Sequence, residues 1–478
     1  MEGHIVHDVC DEVDERSLPL SPAQLGVYFE HLRDESGNRF NIGQVTTIAG
    51  DLDVAVFRRA AADVIAQTPA LQMAIVVEDG ELRQRLVDRS MVEVPLYDLR
   101  GEADPEAARA QLLDALAFTP FDLTRDPLFR WVLIKTGEAC TDWVQVCHHI
   151  VADGWSGQRL AGQVGARYTA LVSGSEAEVG GPEPYAAHIR EEMAYAEGGE
   201  AERDRAYWLD LLSGIEFAAP FEVRGHTAPA ISGRPFLRQS LCVSGDELAA
   251  LTALAEALGV TIAHVVMGAV AVWEAMRSGR SDIVLGTPLL GRLGAGSRSV
   301  VSMSSNVGHL RVRGIWRHSV GSLLTEIRSQ QRASLRHQRY RYEDLRRELA
   351  GAMRDSQLSR VQVNVMSFDY GIRFGGLRGQ TQNLSNGPVD GLSLVLYPQP
   401  DGDLYLELNG SSLGFDQAGL ERAAAEILHA LSQFPELTGE TSLSEVSLTP
   451  AGDLARIGVF NATGRRVAGG VLPDLLSE

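Results

Sequence analysis

The chain contains few cysteines, and their spacing indicates neither a metal site nor a disulfide framework. Four occur in 478 residues, at Cys10, Cys140, Cys147 and Cys242. Zinc sites use closely spaced pairs of Cys and His, and disulfide scaffolds are short chains dense in cysteine. We therefore expect no bound metal and a reducing, cytoplasmic location.

Positive charge is also scarce. The sequence has 43 Lys and Arg against 63 Asp and Glu, for a formal net charge of −20. Nucleic-acid binding depends on clustered basic side chains that neutralise phosphates. This balance argues against nucleic acids and anionic membrane surfaces as partners.

Long hydrophobic runs are missing as well. Residues 1–17 are polar and acidic and lack the apolar region of a signal peptide. The longest apolar stretch, residues 261–276, contains His264 and is shorter than the roughly 20 residues that span a bilayer. We interpret it as a buried helix.

What the chain does contain is typical of a large globular protein. Its length predicts two or three domains, and 45% of its residues are hydrophobic. In both halves, β-rich runs alternate with amphipathic helical patterns, and Asp79-Gly80 predicts a hairpin. A Gly- and Pro-rich break at residues 174–184 marks the main boundary. We expect an α/β fold with two lobes of similar size.

Two adjacent histidines end one of the β-rich runs. In a strand, alternate side chains point to opposite faces. His148 therefore shares a face with Val144 and Val146, whereas His149 shares the other face with Cys147. A histidine on a strand is most often a core residue, and this is our interpretation of His148. His149, at the strand end, is the candidate for chemistry.

The turn after the histidines leads into a predicted helix. Asp153 is placed to cap that helix or to pair with a cation. Gly154 permits close backbone approach and offers an N–H group to a developing oxyanion. Zinc is a weaker alternative, because adjacent histidines on a strand face opposite ways. The segment 148–154 thus predicts an acyl-transfer site.

This segment resembles the His-His-x-x-x-Asp-Gly motif of the condensation domains of nonribosomal peptide synthetases, whose superfamily includes chloramphenicol acetyltransferase-like enzymes. Other stretches are similar to further family motifs in the same order, namely residues 21–24, 120–130, 286–292, 305–307, 337–343 and, loosely, 354–360. Two stretches depart from the family. Gln67-Thr68-Pro69 replaces a basic run, and the motif beginning at Asn306 lacks its proline. These departures put in doubt any substrate rule that depends on those loops.

The resemblance implies a specific architecture. Two chloramphenicol acetyltransferase-like α/β lobes form a V-shaped pseudo-dimer, with the active site in a tunnel between them. We expect an N-terminal tail at 1–17, an N-terminal lobe at 18–185 and a C-terminal lobe at 186–450. Residues 451–478 resemble a linker toward an adenylation domain.

The resemblance also implies the reaction, in which the α-amine of a carrier-bound aminoacyl group attacks an upstream carrier-bound acyl thioester. His149 is expected to act as a base or to position the amine, and Gly154 to offer its N–H. Asp153 is expected to pair with Arg292 in a structural salt bridge. Ser305, Asn306 and Asn364 are candidates for the tunnel lining.

No protein nucleophile is expected, because the resemblance implies that the amine attacks the thioester directly. Cys147 is expected to point sideways from the site.

The expected partners are a donor and an acceptor carrier protein, whose 4'-phosphopantetheine arms hold the substrates. The domain itself is expected to bind no cofactor and to be a monomer. Residues 292–294, 304–307, 340–349, 363–370 and 383–390 are similar to enterobactin-type synthetases, which suggests an aryl or other non-amino-acyl donor. Two alternatives stay open: a free-standing acyltransferase that uses coenzyme A, and a catalytically silent recruitment module.

Overall fold

A computed structural model describes residues 16–89, 92–175, 183–221, 233–353, 356–366, 371–398, 404–447 and 449–464. The strands are β1 (Ser17–Pro19), β2 (Asn41–Ala49), β3 (Met73–Glu78), β4 (Glu81–Leu86), β5 (Leu96–Asp98), β6 (Phe129–Gly137), β7 (Cys140–His148), β8 (Phe236–Val243), β9 (Ile283–Leu289), β10 (Asn306–Val312), β11 (Val361–Val365), β12 (Gly371–Phe374), β13 (Leu377–Asn386), β14 (Leu392–Pro398) and β15 (Leu404–Ser411). The helices are α1 (Pro22–Arg33), α2 (Val54–Gln67), α3 (Pro105–Phe118), α4 (Gly154–Ser173), α5 (Tyr185–Ala196), α6 (Gly199–Leu211), α7 (Gly245–Ala257), α8 (Ile262–Ser278), α9 (Gly294–Arg298), α10 (Val320–Arg336), α11 (Tyr342–Met353), α12 (Gln417–Gln433) and α13 (Ala451–Asn461).

The first large sheet has the strand order β12-β13-β2-β7-β6-β5. Its central strand β7 pairs antiparallel with β2 and β6. Trp143 of β7 is fully buried, and its ring meets the rings of Phe57, Trp131 and Phe374 edge-on at centroid distances of 5.2, 5.3 and 6.1 Å. The strand that carries the histidines is therefore held at both edges and packed against the core.

The second large sheet has the order β10-β9-β11-β14-β15-β8. Helices α8, α10 and α12 pack against it, and α8 also packs against each of the other two helices. The apolar stretch predicted as a buried helix is α8, which is buried from His264 to Ala275. No single described helix has the length and apolar character to cross a membrane. Among the described helix pairs, only α7 and α8 together have that length and apolar character, and they bend by 98° where they meet.

A third, smaller sheet has the order β1-β4-β3. The hairpin predicted at Asp79-Gly80 joins β3 to β4, and both turn residues have positive φ, 52° and 83°. Two-residue hairpin turns of this kind match the twist of the strands they join. The architecture is mixed α/β with two large sheets, as expected for two acetyltransferase-like lobes.

One chain crossing was not expected from the sequence. After β11 in the second sheet, the chain forms β12 and β13 on the first sheet, and it then returns to the second sheet as β14. β13 pairs antiparallel with β2 from Arg378 opposite Ala49 to Asn386 opposite Ile42. Residues of the predicted C-terminal lobe thus complete the first sheet, while the predicted boundary at residues 185–186 stays a prediction.

Several predictions fall partly outside the described residues. These are the tail at 1–15, Cys10, residues 354–355 and 367–370 of the compared motifs, and the end of the linker at 465–478. Within the predicted linker, α13 is described.

The crossing depends on a glycine in α4, since a methyl group on Gly165 would lie 2.5 Å from the carbonyl oxygen of Arg373 in β12. Gly165→Ala is therefore expected to lower the free energy of unfolding by about 1–3 kcal/mol. On the same helix, Gly162 has open space around its Cα. Gly162→Ala is expected to raise stability by about 0.5–1 kcal/mol. Urea unfolding of both variants checks this, and equal effects would contradict it.

Candidate active site

The histidine segment is a strand end, a short turn and a helix start. β7 ends at His148, and α4 begins at Gly154. Asp153 is the N-cap of α4, and its Oδ1 accepts a hydrogen bond from the Ser156 N–H at 2.9 Å. Such a cap satisfies one of the helix's free N–H groups. The turn therefore places His149 and Asp153 at one end of α4.

His148 is fully buried on the face away from α4. Its ring packs against those of Phe40 and Phe121. Its Nδ1 accepts the Ile150 N–H at 3.2 Å, so the ring proton lies on Nε2, which donates to His31 Nδ1 at 3.2 Å. Burial and the neighbouring His31 lower the pKa of His148 well below its ordinary value. This imidazole is neutral and committed to internal contacts.

His149 faces the other way and lines a cleft. Its backbone N–H donates to the Phe40 carbonyl at 2.8 Å, which fixes the strand end. Burial lowers the pKa of its imidazole, and Arg341 acts in the same direction, whereas Asp153 opposes them. The ring is therefore neutral at neutral pH and able to accept a proton.

Gly387 forms the wall beside the His149 ring. A methyl group placed on Gly387 would lie 2.8 Å from His149 Cδ2. Its φ of +89° is also a conformation that other residues rarely adopt. Only glycine at this position leaves the ring where it is.

The carboxylate of Asp153 is buried and fully engaged. Besides its cap to α4, its Oδ2 accepts from Arg292 Nη1 at 2.5 Å and from the N–H groups of Ser304 and Ser305 at 3.1 and 3.0 Å. Burial alone raises the pKa of a carboxyl group, but Arg292 and these donors outweigh it and lower the pKa of Asp153. Asp153 is therefore ionised, and it forms an ion pair with Arg292, which is distant in the sequence.

Arg292 is as deeply buried as its partner. It follows β9, and its Nη2 donates to Ser156 Oγ at 3.2 Å and to the Ser302 carbonyl at 2.9 Å. Ser302 and the two serine N–H donors lie just before β10. The ion pair thus connects the start of α4 on the first sheet to the segment between β9 and β10 of the second.

A buried polar cluster supports this connection. Ser302 Oγ lies 2.8 Å from Ser304 Oγ, and both lie near His188 Nε2, at 3.1 and 3.2 Å. Burial and the nearby Arg292 lower the pKa of His188 to about 4, so this imidazole is neutral. No role in orienting the ion pair was predicted for these serines from the sequence.

A cleft with a cavity volume of about 60 Å³ lies beside His149. Its lining comes from β2, β7, α4 and the end of β13. The described lining residues are Ile42, Gly43, Gln44, Gln145, Cys147, His149, Ala152, Asp153, Gly154, Gly157, Gln158, Leu160, Met366, Asn383, Ser385 and Asn386.

Gly154 lines this cleft as the first residue of α4. The N–H of a first helical residue has no acceptor within its own helix. The positive end of the helix dipole lies at the same place. Partial positive charge therefore faces the cleft close to His149.

Cys147 lines the same cleft, so the expectation that it points sideways was wrong. It lies two residues before His149 on the same strand face, as alternation requires. Burial raises the pKa of its thiol to about 12, so it is not a thiolate at neutral pH. Among the described residues, no group of three or more His, Cys, Asp and Glu is arranged to hold a metal ion.

The three predicted tunnel residues do not line this cleft. Ser305 uses its N–H for Asp153 and its carbonyl for Arg341. The Asn306 amide donates to the carbonyls of Gln338 and Tyr340 at 2.9 and 2.6 Å, so it braces a loop. Asn364 lies on β11 of the second sheet and is partly buried. Asn386 does line the cleft, and Gly387 lies beside the His149 ring; both are in a compared stretch but had no assigned role.

Comparison with known proteins agrees with this geometry. The family model for the condensation domain matches residues 14–457. Isonitrile lipopeptide synthase of Streptomyces coeruleorubidus is 33% identical over 431 residues, which are 90% of this chain and 29% of that protein. Enterobactin synthase component F of Escherichia coli O157:H7 is 27% identical over 474 residues, which are 96% of this chain and 36% of that protein. The chain thus spans less than two fifths of these relatives.

The fold also matches a solved structure. The starter condensation domain of rhizomide synthetase, in complex with C8-CoA, superimposes with a TM-score of 0.80 at 28% identity, over 90% of this chain and 97% of that one. Since the family model also covers nearly the whole sequence, the chain belongs to the condensation domains of nonribosomal peptide synthetases.

Proposed function

We propose that this chain joins an acyl group to an amine in the cleft beside His149. The acyl group arrives as a thioester, and the amine is the α-amine of an aminoacyl thioester. The observation that carries the proposal is a neutral imidazole at the cleft wall, next to the free N–H end of α4. Membership of the condensation domain family supports the same reaction.

The proposed reaction needs one mobile proton. The amine nitrogen attacks the thioester carbonyl carbon, the C–N bond forms, and the C–S bond then breaks to release a thiol. His149 accepts the proton that the amine loses and returns it to the departing thiolate. Its lowered pKa keeps it unprotonated and ready to accept at neutral pH.

The carbonyl oxygen gains negative charge while the tetrahedral intermediate exists. The Gly154 N–H, at the positive end of α4, is the proposed donor to that oxygen. Asp153 and Arg292 are proposed to have a structural role, because their hydrogen bonds are made to each other and to other residues of the protein. His148 is proposed to hold the strand end, since its two ring nitrogens are engaged within the protein.

The donor is proposed to be a non-amino-acyl group, and the substrates to be carried on the 4'-phosphopantetheine arms of donor and acceptor carrier proteins. The resemblance to enterobactin synthase component F supports such a donor, as does the likeness to a starter domain solved with C8-CoA. The adjacent adenylation domain, the monomeric state and the cytoplasmic location stay predictions of the sequence.

That C8-CoA complex also favours a second candidate, a donor bound to coenzyme A rather than to a carrier protein. Measuring kcat/KM for the same acyl group attached either to coenzyme A or to a donor carrier protein separates the two functions. A preference for the carrier protein supports our proposal, and efficient use of coenzyme A alone overturns the carrier part of it. Absence of product from either donor would instead favour the recruitment module.

His149→Ala is expected to lower kcat for amide formation by about 10²–10⁴, because the proton acceptor is lost. Product formation with acyl and aminoacyl thioesters, followed by mass spectrometry, measures it. His429→Ala, a histidine on α12 that does not line the cleft, is the control and is expected to retain the wild-type rate. Full activity of His149→Ala would remove the role assigned to this residue.

Gly387→Ala is expected to lower kcat by at least about tenfold, because the added methyl group displaces the His149 ring. Gly375→Ala is the matched control. Gly375 also has positive φ, at +63°, but a methyl group there meets only Tyr168 at 3.9 Å. If both variants lose activity equally, backbone strain rather than the His149 contact is responsible.

Asp153→Ala and Arg292→Ala are each expected to lower the free energy of unfolding by about 3–5 kcal/mol, because each leaves a buried charge unpaired. The double variant is expected to lose less than the sum. Arg347→Ala removes an exposed ion pair with Asp344 and is expected to change stability little. Urea unfolding measures all four variants, and strict additivity would contradict a direct pairing.

Acidification gives a second readout of the same pair. Because the pKa of Asp153 is lowered in the folded state, its contribution is complete above the unfolded value of about 3.9 and is lost as the pH falls below it. The stability gap between wild type and Asp153→Asn is thus expected to be constant from about pH 5 to 7 and to narrow below about pH 4. A gap that widens on acidification would show that the carboxylate does not stabilise the fold.

A further inference from the structure

Two amide side chains of the cleft wall have a nitrogen atom without a hydrogen-bond partner. These atoms are Gln145 Nε2 and Asn386 Nδ2, and both are buried from solvent within the described part of the chain. A buried N–H group that makes no hydrogen bond is costly, and native proteins rarely keep one without a reason.

The orientation of the Asn386 amide follows from a chain of contacts that begins at an arginine. Arg238 Nη2 donates to Asn383 Oδ1 at 3.3 Å, and a guanidinium group can only donate. Asn383 Nδ2 is therefore the donor to Asn386 Oδ1, at 2.8 Å. The Asn386 atom that lacks a partner is then its Nδ2, a donor.

The orientation of the Gln145 amide follows in the same way from a carbonyl group. Gln44 Nε2 lies 3.5 Å from the Gly157 carbonyl oxygen, which can only accept. The same nitrogen donates to Gln145 Oε1 at 2.7 Å, across the β2–β7 pair. The Gln145 atom that lacks a partner is therefore also a donor.

The two donors lie at different distances from the proposed reaction centre. Asn386 directly precedes Gly387, which lies beside the His149 ring. Gln145 lies four residues before His149 on the same strand face, roughly 13 Å away at the rise of a β-strand. One donor therefore lies beside His149, and the other lies further along the strand that carries it.

We propose that the cleft selects an acyl donor that carries a hydrogen-bond-accepting oxygen, a hydroxyl or carbonyl group, which Asn386 binds near the thioester and Gln145 binds further along the acyl group. The inference rests on the proposed function, because it concerns the donor of that reaction. A plain hydrocarbon chain would leave both N–H groups buried and unpaired. An oxygen-bearing chain restores their hydrogen bonds.

Matched donor pairs test this. Octanoyl-CoA is compared with 3-hydroxyoctanoyl-CoA and 8-hydroxyoctanoyl-CoA, and benzoyl-CoA with 2-hydroxybenzoyl-CoA, each with a soluble leucyl thioester as acceptor. In each pair we expect the hydroxylated donor to be favoured in kcat/KM by about fivefold to tenfold, the effect of one restored hydrogen bond. Dissociation constants of the same donors, measured by calorimetry without acceptor, are expected to show the same ratio.

Two variants test which residue is responsible for the preference for each hydroxylated donor. Asn386→Leu is expected to bring the ratio to about one for the 3-hydroxyoctanoyl and 2-hydroxybenzoyl donors, and Gln145→Met to do so for the 8-hydroxyoctanoyl donor. Gln163→Met is the control, since Gln163 lies on α4 and has a buried amide oxygen without a partner but does not line the cleft. It is expected to keep the wild-type ratios.

The outcomes separate this inference from the proposed function. Amide formation with equal preference for plain and hydroxylated donors overturns the inference and leaves the function standing. If no product forms but the wild type prefers to bind hydroxylated donors and the two variants abolish that preference, the inference stands and the proposed function is overturned. Variants that change the choice between leucyl and seryl acceptors, but not between donors, would place the amides at the amine's side and overturn the inference.

Discussion

The Asp153 carboxylate is the contact on which the site depends. It caps α4 of the first sheet while binding Arg292 and two backbone N–H groups from the segment between β9 and β10 of the second. A buried carboxylate is tolerated only when its lone pairs are satisfied in this way. Because these donors come from both sheets, the charge holds the two sheets together where the cleft opens.

This arrangement explains how neighbouring histidines come to differ. The backbone of His149 is fixed by Phe40 on β2's side, and the turn that follows ends at the anchored Asp153. His148 fills the opposite face and is engaged through both ring nitrogens. The strand therefore cannot rotate to exchange the two side chains, and His149 alone meets the cleft.

The cleft is completed by chain that is distant in sequence. β13 crosses from the second half of the sequence to pair with β2, and its end carries Asn386 and Gly387 to the His149 ring. Gly165 allows the crossing strand to approach α4 closely. Of the two proposed determinants of donor choice, Gln145 thus lies on the same strand as the proposed proton acceptor, whereas Asn386 comes from the other half of the chain.

The sequence by itself determined the alternation of strands and helices, the Asp79-Gly80 hairpin, the buried helix α8, the opposite faces of His148 and His149, and the family. These follow from local periodicity, turn chemistry and a dense local motif, which act over a few residues. Only the tertiary structure decided that β13 joins the first sheet, that Cys147 lines the cleft, that Asn306 braces a loop, and that Gly387 lies beside His149. Such contacts join residues far apart in the chain, and they depend on how whole sheets pack, which no local pattern records.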